Sequence, residues 1–302
     1  MVSKLEDVIS KEKIKYNEPM NKHTTMKVGG NADILILPTN IDEVISVIKY
    51  VKENNIPFKV LGNGSNTVVS DKGIEGVVMK LTSNLSDVII EDKYITAVCG
   101  TMMPYLSVIA KQNLLSGFEF ACGIPGTIGG GIKMNAGAYD SQISDVIVSC
   151  KYLDENLDII EIENKDMNFG YRHSIFIENP NFVILEAKFK LNKDSLENIE
   201  SKMSENKLSR IAKQPLEYPS VGSIFRRPVG YFAGKLISDC NLKGVTIGGM
   251  QVSEKHAGFI VNKGNGTCQD LLDLIKLIQK TVYENFKVEM KTEVEFIGRD
   301  IL

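Results

Sequence analysis

Residues 123–137 read GIPGTIGGGIKMNAG, and six of these fifteen residues are glycine. A stretch so poor in side chains is a weak helix or strand by propensity, so its backbone freedom must serve a turn, a close approach or a ligand. A second run, LGNGSN at residues 61–66, ends the strand-like FKVLGNGSN, and Gly29-Gly30 make a third site. Glycine admits positive φ and leaves peptide N–H groups reachable, the property of loops that cradle phosphates. Neither loop has a familiar nucleotide fingerprint: Thr67 stands where GxGxxG needs its third glycine after Gly62 and Gly64, and no Gly-Lys-Ser/Thr follows Gly126. For a single loop, tight turns and close packing are the plain reading. Together the three point to a large ligand with a diphosphate, lying in a groove between two small α+β lobes.

The pattern around them supports mixed architecture. Apolar residues 34–37 read as a strand stopped by Pro38, and Ile41, Val44, Ile45, Ile48 and Val51 then follow helical spacing, with Thr39 and Asp42 as a capping pair. Pro57 ends that unit, and FKVLGNGSN gives a strand running into the glycine loop. Residues 87–99 predict a hairpin around residues 91–93, and residues 104–115 a short helix. VIVSCKYLD, LDIIEIE and FVILEAKFKL are β-like, and residues 195–213 favour helix. The two prolines in residues 214–220 mark a domain boundary. Beyond it come a helix with Leu271, Leu272, Ile275, Ile278 and Val282 on one stripe and the alternating VEMKTEVEFIG.

Composition narrows the classes. With 302 residues, 43% of them hydrophobic, the chain can bury a sizeable core. No run approaches the roughly 18 to 20 apolar residues of a membrane span, and the charged start MVSKLEDVISKEK is no secretory signal, so a cytoplasmic protein is expected. Five cysteines without a CxxC pair, and three histidines in unrelated contexts, indicate neither a disulfide framework nor a metal site. A net charge of −3 with no basic block argues against nucleic acid and requires anionic ligands to be held locally.

LGNGSN, GIPGTIGG followed by MNAGAY, and KHAGFIVN, in that order, resemble the UDP-N-acetylenolpyruvoylglucosamine reductase family from about His23 to Gly298. The resemblance implies a flavoenzyme of peptidoglycan precursor synthesis. Its fold would be α+β, a two-lobed FAD-binding fold of the vanillyl-alcohol oxidase (PCMH) kind with a C-terminal α+β substrate-binding domain. The corresponding segments are residues 1–80 with the returning strand 288–302, residues 81–194, and residues 195–287. FAD, bound non-covalently, would be held by Gly62, Asn63, Gly64, Ser65, Asn66, Gly123, Gly126, Thr127, Gly129, Gly130, Asn135, Ala136 and Gly137. NADPH would be the hydride donor, and the protein a monomer with small-molecule partners only. AGAYDSQISDVIVSC runs straight into a β-like segment, so the chain resembles the shorter type without an extra tyrosine-bearing loop.

By the same resemblance, Arg172, Ser223 and Glu293 carry the chemistry: a guanidinium for charge developing on the substrate carboxylate, a hydroxyl for the proton at C2, and a carboxylate partner. Taken alone, each also reads as a surface ion-pair partner, a turn serine and the solvated face of a strand. Arg226, Arg227 and Lys235 are the nearest cations for the substrate diphosphate, although relatives often carry asparagine at the place of Arg227. Two other readings stay open on sequence: a different FAD-dependent oxidase or dehydrogenase on the same cradle, and a sugar-nucleotide-binding module whose glycine loops are structural.

Overall fold

The structure of the protein is a computed structural model, described here over residues 5–300. The strand Asn31–Ile36 stops ahead of Pro38, and the helix Ile41–Glu53 buries Val44, Val47, Ile48 and Val51 on one stripe. Its cap is Asn40, not the Thr39 and Asp42 pair. Asn40 is extended (φ −148°, ψ 166°), which aims its side chain at the Glu43 N–H, 2.9 Å away. Glu43 in turn accepts from the Thr39 N–H at 2.8 Å. The strand Phe58–Leu61 pairs in parallel with Ile74–Lys80 and delivers the chain to the first glycine loop.

Contacts divide the chain into two compact units. The first comprises residues up to Lys15, Leu35–Asn63 and Val77–Arg210; the second comprises Tyr16–Ile34, Gly64–Gly76 and the residues from Ile211 on. This division runs differently from the three segments read from the sequence, because residues 16–34 and 64–76 group with the C-terminal part of the chain. Contact, rather than chain order, decides the grouping.

In the first unit five antiparallel strands lie in the order Ile159–Glu163, Ile147–Leu153, Val183–Lys190, Tyr94–Val98, Val88–Glu91. The hairpin between the last two strands in that order turns at Asp92, whose φ is +52°. Phe118 packs on Phe120 and Phe189 with ring centroids 5.3 Å apart. The helix Leu196–Lys213 buries only Ile199 and is held largely by polar ties, among them Lys111 to Glu200 and Asn206 to the Glu119 carbonyl.

In the second unit Thr246–Ile247, Met250–Val252 and Ile260–Asn262 form an antiparallel sheet. The helix Cys268–Phe286 buries Leu271, Leu274, Ile275, Ile278 and Val282, and a reciprocal capping box between Thr267 and Asp270 starts it. Of the alternating stretch near the end of the sequence, only Glu295–Ile297 is a regular strand. It pairs in parallel with Thr67–Val69, just beyond the first glycine loop. Cys99, Cys150 and Cys268 are buried, with burial pushing each thiol up to about 12, so they pack as small hydrophobes. Among the described residues no helix is long and apolar enough to cross a membrane, and no cluster of histidine, cysteine and carboxylate side chains could hold a metal ion.

Candidate functional site

The first unit brings the two glycine loops together. A Cβ on Gly62 would lie 2.6 Å from Thr127 Oγ1, and Asn63 Nδ2 donates to the Pro125 carbonyl at 2.7 Å. Gly62 is therefore glycine because the second loop occupies the place of its side chain. The Gly126 carbonyl accepts from the Met103 N–H at 2.9 Å, which fixes that loop to the helix Met103–Gln112.

Thr127 caps the short helix Ile128–Lys133, its hydroxyl accepting from the Gly130 N–H at 3.3 Å. Three consecutive glycines in a helix each cost about 0.5–1 kcal/mol relative to alanine and need a reason. Gly129 abuts Cys99 Cβ at 3.1 Å and Gly131 abuts Met103 Sδ at 2.8 Å, so packing explains both. Gly130 has no such neighbour: it is exposed, and an added Cβ would meet only Thr127 Oγ1 at 3.5 Å. Nothing within the unit forbids a side chain there.

At the far end of this helix the chain enters Asn135, which has left-handed backbone (φ +42°) and is fully buried. Its side chain is engaged at both ends, Nδ2 donating to the Gly170 carbonyl and Oδ1 accepting from the Ser144 N–H, each at 3.0 Å. The side chain is thus committed inside the protein at both ends. Ala136 is tied through its backbone to Gly131 and Ile143, and Gly137 packs where a Cβ would meet Ser141 O at 2.5 Å. Arg172 sits at the tip of a tight turn in which Gly170 and His173 exchange backbone hydrogen bonds at 3.1 and 3.2 Å. Its φ of +53° is unfavourable for a non-glycine residue, and such strain collects at functional positions. The guanidinium donates to the Gly137 carbonyl at 3.2 Å and lies 5.1 Å from the centre of the Tyr171 ring.

The second unit holds the other residues. Gly64 has φ +64°, and its Cβ would strike the His23 carbonyl at 2.6 Å and Thr24 Cα at 2.9 Å, so close packing also dictates this glycine. Its own carbonyl accepts from the Thr25 N–H at 3.1 Å. Gly29 and Gly30 likewise pack against Val69 and the Asp71 carbonyl. Ser65 is half-buried, and Asn66 donates to the Glu293 carbonyl at 3.2 Å. Residues 222–226 run between two neighbours: Ser223 bridges Phe259, Phe225 bridges Thr292, and the Glu293 N–H donates to Ile224 O at 2.8 Å. Ser223, Glu293 and Asn66 are thereby brought onto adjoining segments. The Ser223 hydroxyl makes no hydrogen bond among the described residues, which is not how a capping or turn serine behaves.

The three cations expected for phosphate differ. Arg226 carries a buried Nε without a hydrogen-bond partner among the described residues; Arg227 stacks 3.9 Å from the centre of the Phe232 ring and donates to the Tyr231 carbonyl. Lys235, largely exposed, pairs with Asp239 one turn on. Thr24 Oγ1, beside Gly64, is another buried polar atom without a hydrogen-bond partner among the described residues. Sequence reasoning passed over Arg210, whose guanidinium lies 2.9 Å from the Cβ position of Gly123 and is half-buried. No local pattern marks it, since it stands in an otherwise solvated helix.

The chain is 49% identical over 298 residues to UDP-N-acetylenolpyruvoylglucosamine reductase of Caldanaerobacter subterraneus subsp. tengcongensis, covering 99% of this chain and 98% of the relative. The chain belongs to the UDP-N-acetylenolpyruvoylglucosamine reductase family. The reductase of Clostridium perfringens (strain SM101 / Type A) is 48% identical over 296 residues, 98% of this chain and 97% of its own. The family's C-terminal domain matches residues 214–297, and an FAD binding domain matches residues 32–163. A crystal structure of the family's reductase from Thermus caldophilus superposes with a TM-score of 0.78 at 30% identity, covering 94% of this chain and 97% of that one. The protein is an FAD-dependent oxidoreductase of the two-lobed FAD-binding fold. The residues present fit that cofactor on two grounds: an exposed helical glycine with open side-chain space at Gly130, and the close contact of residues 62–63 with residues 125–127.

Proposed function

We propose that the protein reduces UDP-N-acetylglucosamine enolpyruvate to UDP-N-acetylmuramate with NADPH, acting as a cytoplasmic monomer in peptidoglycan precursor synthesis. The observation that supports it most is the meeting of Gly62 with Thr127 beside an exposed Gly130, a surface of bare backbone suited to a dinucleotide. Gly62, Asn63, Gly126, Thr127 and Gly130 would hold the cofactor. When bound, FAD supplies the hydride relay between NADPH and C3 of the enolpyruvyl group.

The chain's own residues manage the charge and the proton. Hydride addition at C3 leaves an electron pair at C2, delocalised into the neighbouring carboxylate. Arg172, permanently charged and held at a strained turn, stabilises that growing charge more than it stabilises the ground state. Ser223 donates its hydroxyl proton to C2 and regains one from water; its freedom from other hydrogen bonds within the described residues leaves that proton available. Glu293, on the adjoining segment, shares a proton with the same carboxylate group. Arg226 faces the diphosphate, where its unpartnered Nε finds an acceptor.

The test separates the two half-reactions. Ser223→Ala should accept hydride from NADPH at close to the normal rate, while reoxidation by the enolpyruvyl substrate slows by roughly 10² to 10⁴, with partial recovery in Ser223→Cys. Stopped-flow traces showing wild-type reoxidation of Ser223→Ala would remove Ser223 from the mechanism.

A further inference from the structure

The strained turn that carries Arg172 is pinned from one direction. Gly170, at its start, offers its carbonyl both to the His173 N–H, at 3.2 Å, and to Asn135 Nδ2, at 3.0 Å. Just past the turn, fully buried Ser174 donates its hydroxyl to the Lys133 carbonyl at 2.7 Å. Both anchors lie at the end of the helix Ile128–Lys133, whose other end is capped by Thr127 against Gly62. The same segment receives the guanidinium itself, with Arg172 Nη2 3.2 Å from Gly137 O and Nη1 3.5 Å from Asn135 O. An arginine at φ +53° relaxes elsewhere unless its surroundings over-determine it. Asn135 is the residue that can do so, since asparagine tolerates its φ of +42° and its amide satisfies a donor and an acceptor at once.

We propose that Asn135 is a positioning residue for the reduction: by clamping Gly170 and Ser144 it fixes the turn that presents Arg172 to the substrate carboxylate. It does not touch the flavin. The inference rests on the assignment of Arg172 to that carboxylate.

Asn135→Gly keeps the left-handed backbone and removes both side-chain bonds. Holoenzyme is reduced with dithionite and mixed with UDP-N-acetylglucosamine enolpyruvate. Flavin affinity should stay within about twofold of wild type while reoxidation slows tenfold or more, as small misplacements of a catalytic group do. In an Arg172→Ala background the glycine change should add nothing further. In the flavin-free protein the Gly170 and His173 amides should exchange with solvent faster than in wild type. Wild-type reoxidation of Asn135→Gly beside a slowed Arg172→Ala overturns the inference, as does a tenfold loss of flavin affinity, which would make Asn135 a cofactor contact. If Arg172→Ala is itself reoxidised normally, the assignment of Arg172 fails first and the positioning role falls with it. Should Asn135→Gly not fold, Asn135→Asp decides. Its buried carboxyl, with pKa raised by burial, can donate to Gly170 O only when protonated, so reoxidation relative to wild type should fall as pH rises. A ratio independent of pH would overturn the clamp.

Discussion

Gly130→Ala isolates the ligand from the fold. The added methyl meets no protein atom closer than 3.5 Å, and alanine in a helix is better than glycine by about 0.5–1 kcal/mol, so the flavin-free variant should unfold at the same or slightly higher temperature. If the cofactor rests on this exposed backbone, the methyl occupies its place. One lost hydrogen bond to a charged phosphate is worth about 1.5–3 kcal/mol, so FAD should bind roughly 10- to 150-fold more weakly. Gly62→Ala is the contrasting control. Its Cβ starts 2.6 Å from Thr127 Oγ1, so the hydroxyl must retreat by about 0.8 Å to reach an ordinary contact, breaking the cap it provides. That cap is worth about 0.5–2 kcal/mol, so Gly62→Ala should lose stability before any flavin is added. Fluorescence titration with FAD and thermal unfolding of the flavin-free proteins give both quantities. Gly130→Ala that binds FAD like wild type would refute the argument, since a helical glycine without a packing reason would then have no ligand reason either.

Two further outcomes follow from the second unit. Arg226→Ala should raise KM for the sugar nucleotide tenfold or more with kcat nearly held, whereas Lys235→Ala, which removes a solvent-exposed partner of Asp239, should leave KM close to wild type; steady-state kinetics showing the reverse order would discard the unpartnered Nε as the phosphate contact. The Arg299 guanidinium holds the Asp33 carboxyl below its ordinary value through hydrogen bonds of 2.9 and 2.8 Å. Both side chains are partly exposed, so the pair contributes little to stability. A carboxyl depressed in the folded state adds stability above the unfolded value and loses it as pH falls through the folded one. The gap in melting temperature between wild type and Asp33→Asn should thus be full at pH 7 and close below about pH 4. An equal gap at pH 3 and pH 7 would contradict this.

The periodic elements were legible because period is a local property: the strand, helix, strand and glycine loop of residues 31–66 follow from the apolar spacing and the prolines alone. The cap of Ile41–Glu53 was not, because Thr39, Asn40 and Asp42 are all capable residues and the choice depends on which backbone is extended. The glycines were visible, yet their reasons were not. The space a Cβ would take is filled at Gly64 by His23 and Thr24 and at Gly62 by Thr127, while at Gly130 it stays open. Asn135 was recognised through its motif but not its direction, since nothing in MNAGAY says that its amide turns inward to Gly170. Arg210 stayed hidden because its neighbour Gly123 lies far away along the chain.

The pairing of Glu295–Ile297 with Thr67–Val69 bears on how the protein is made. Residues 66–73 are braced early by Gly30, whose N–H donates to the Ser70 carbonyl, and late by the end of the chain: Asn66 by Glu293 and Glu295, Ser70 by Ile297 and by Arg299, whose carbonyl accepts the Ser70 hydroxyl across 229 residues of sequence. At a synthesis rate of about 5–20 residues per second, those partners appear on the order of ten to forty-five seconds after the loop itself. During that interval the first glycine loop has left the ribosome without the strand beside it. The nascent chain can complete its five-stranded antiparallel sheet, all of whose strands precede residue 191, well before the parallel pair can close. The strand pair beside the first glycine loop is therefore completed late in biosynthesis, following release of nearly the entire sequence.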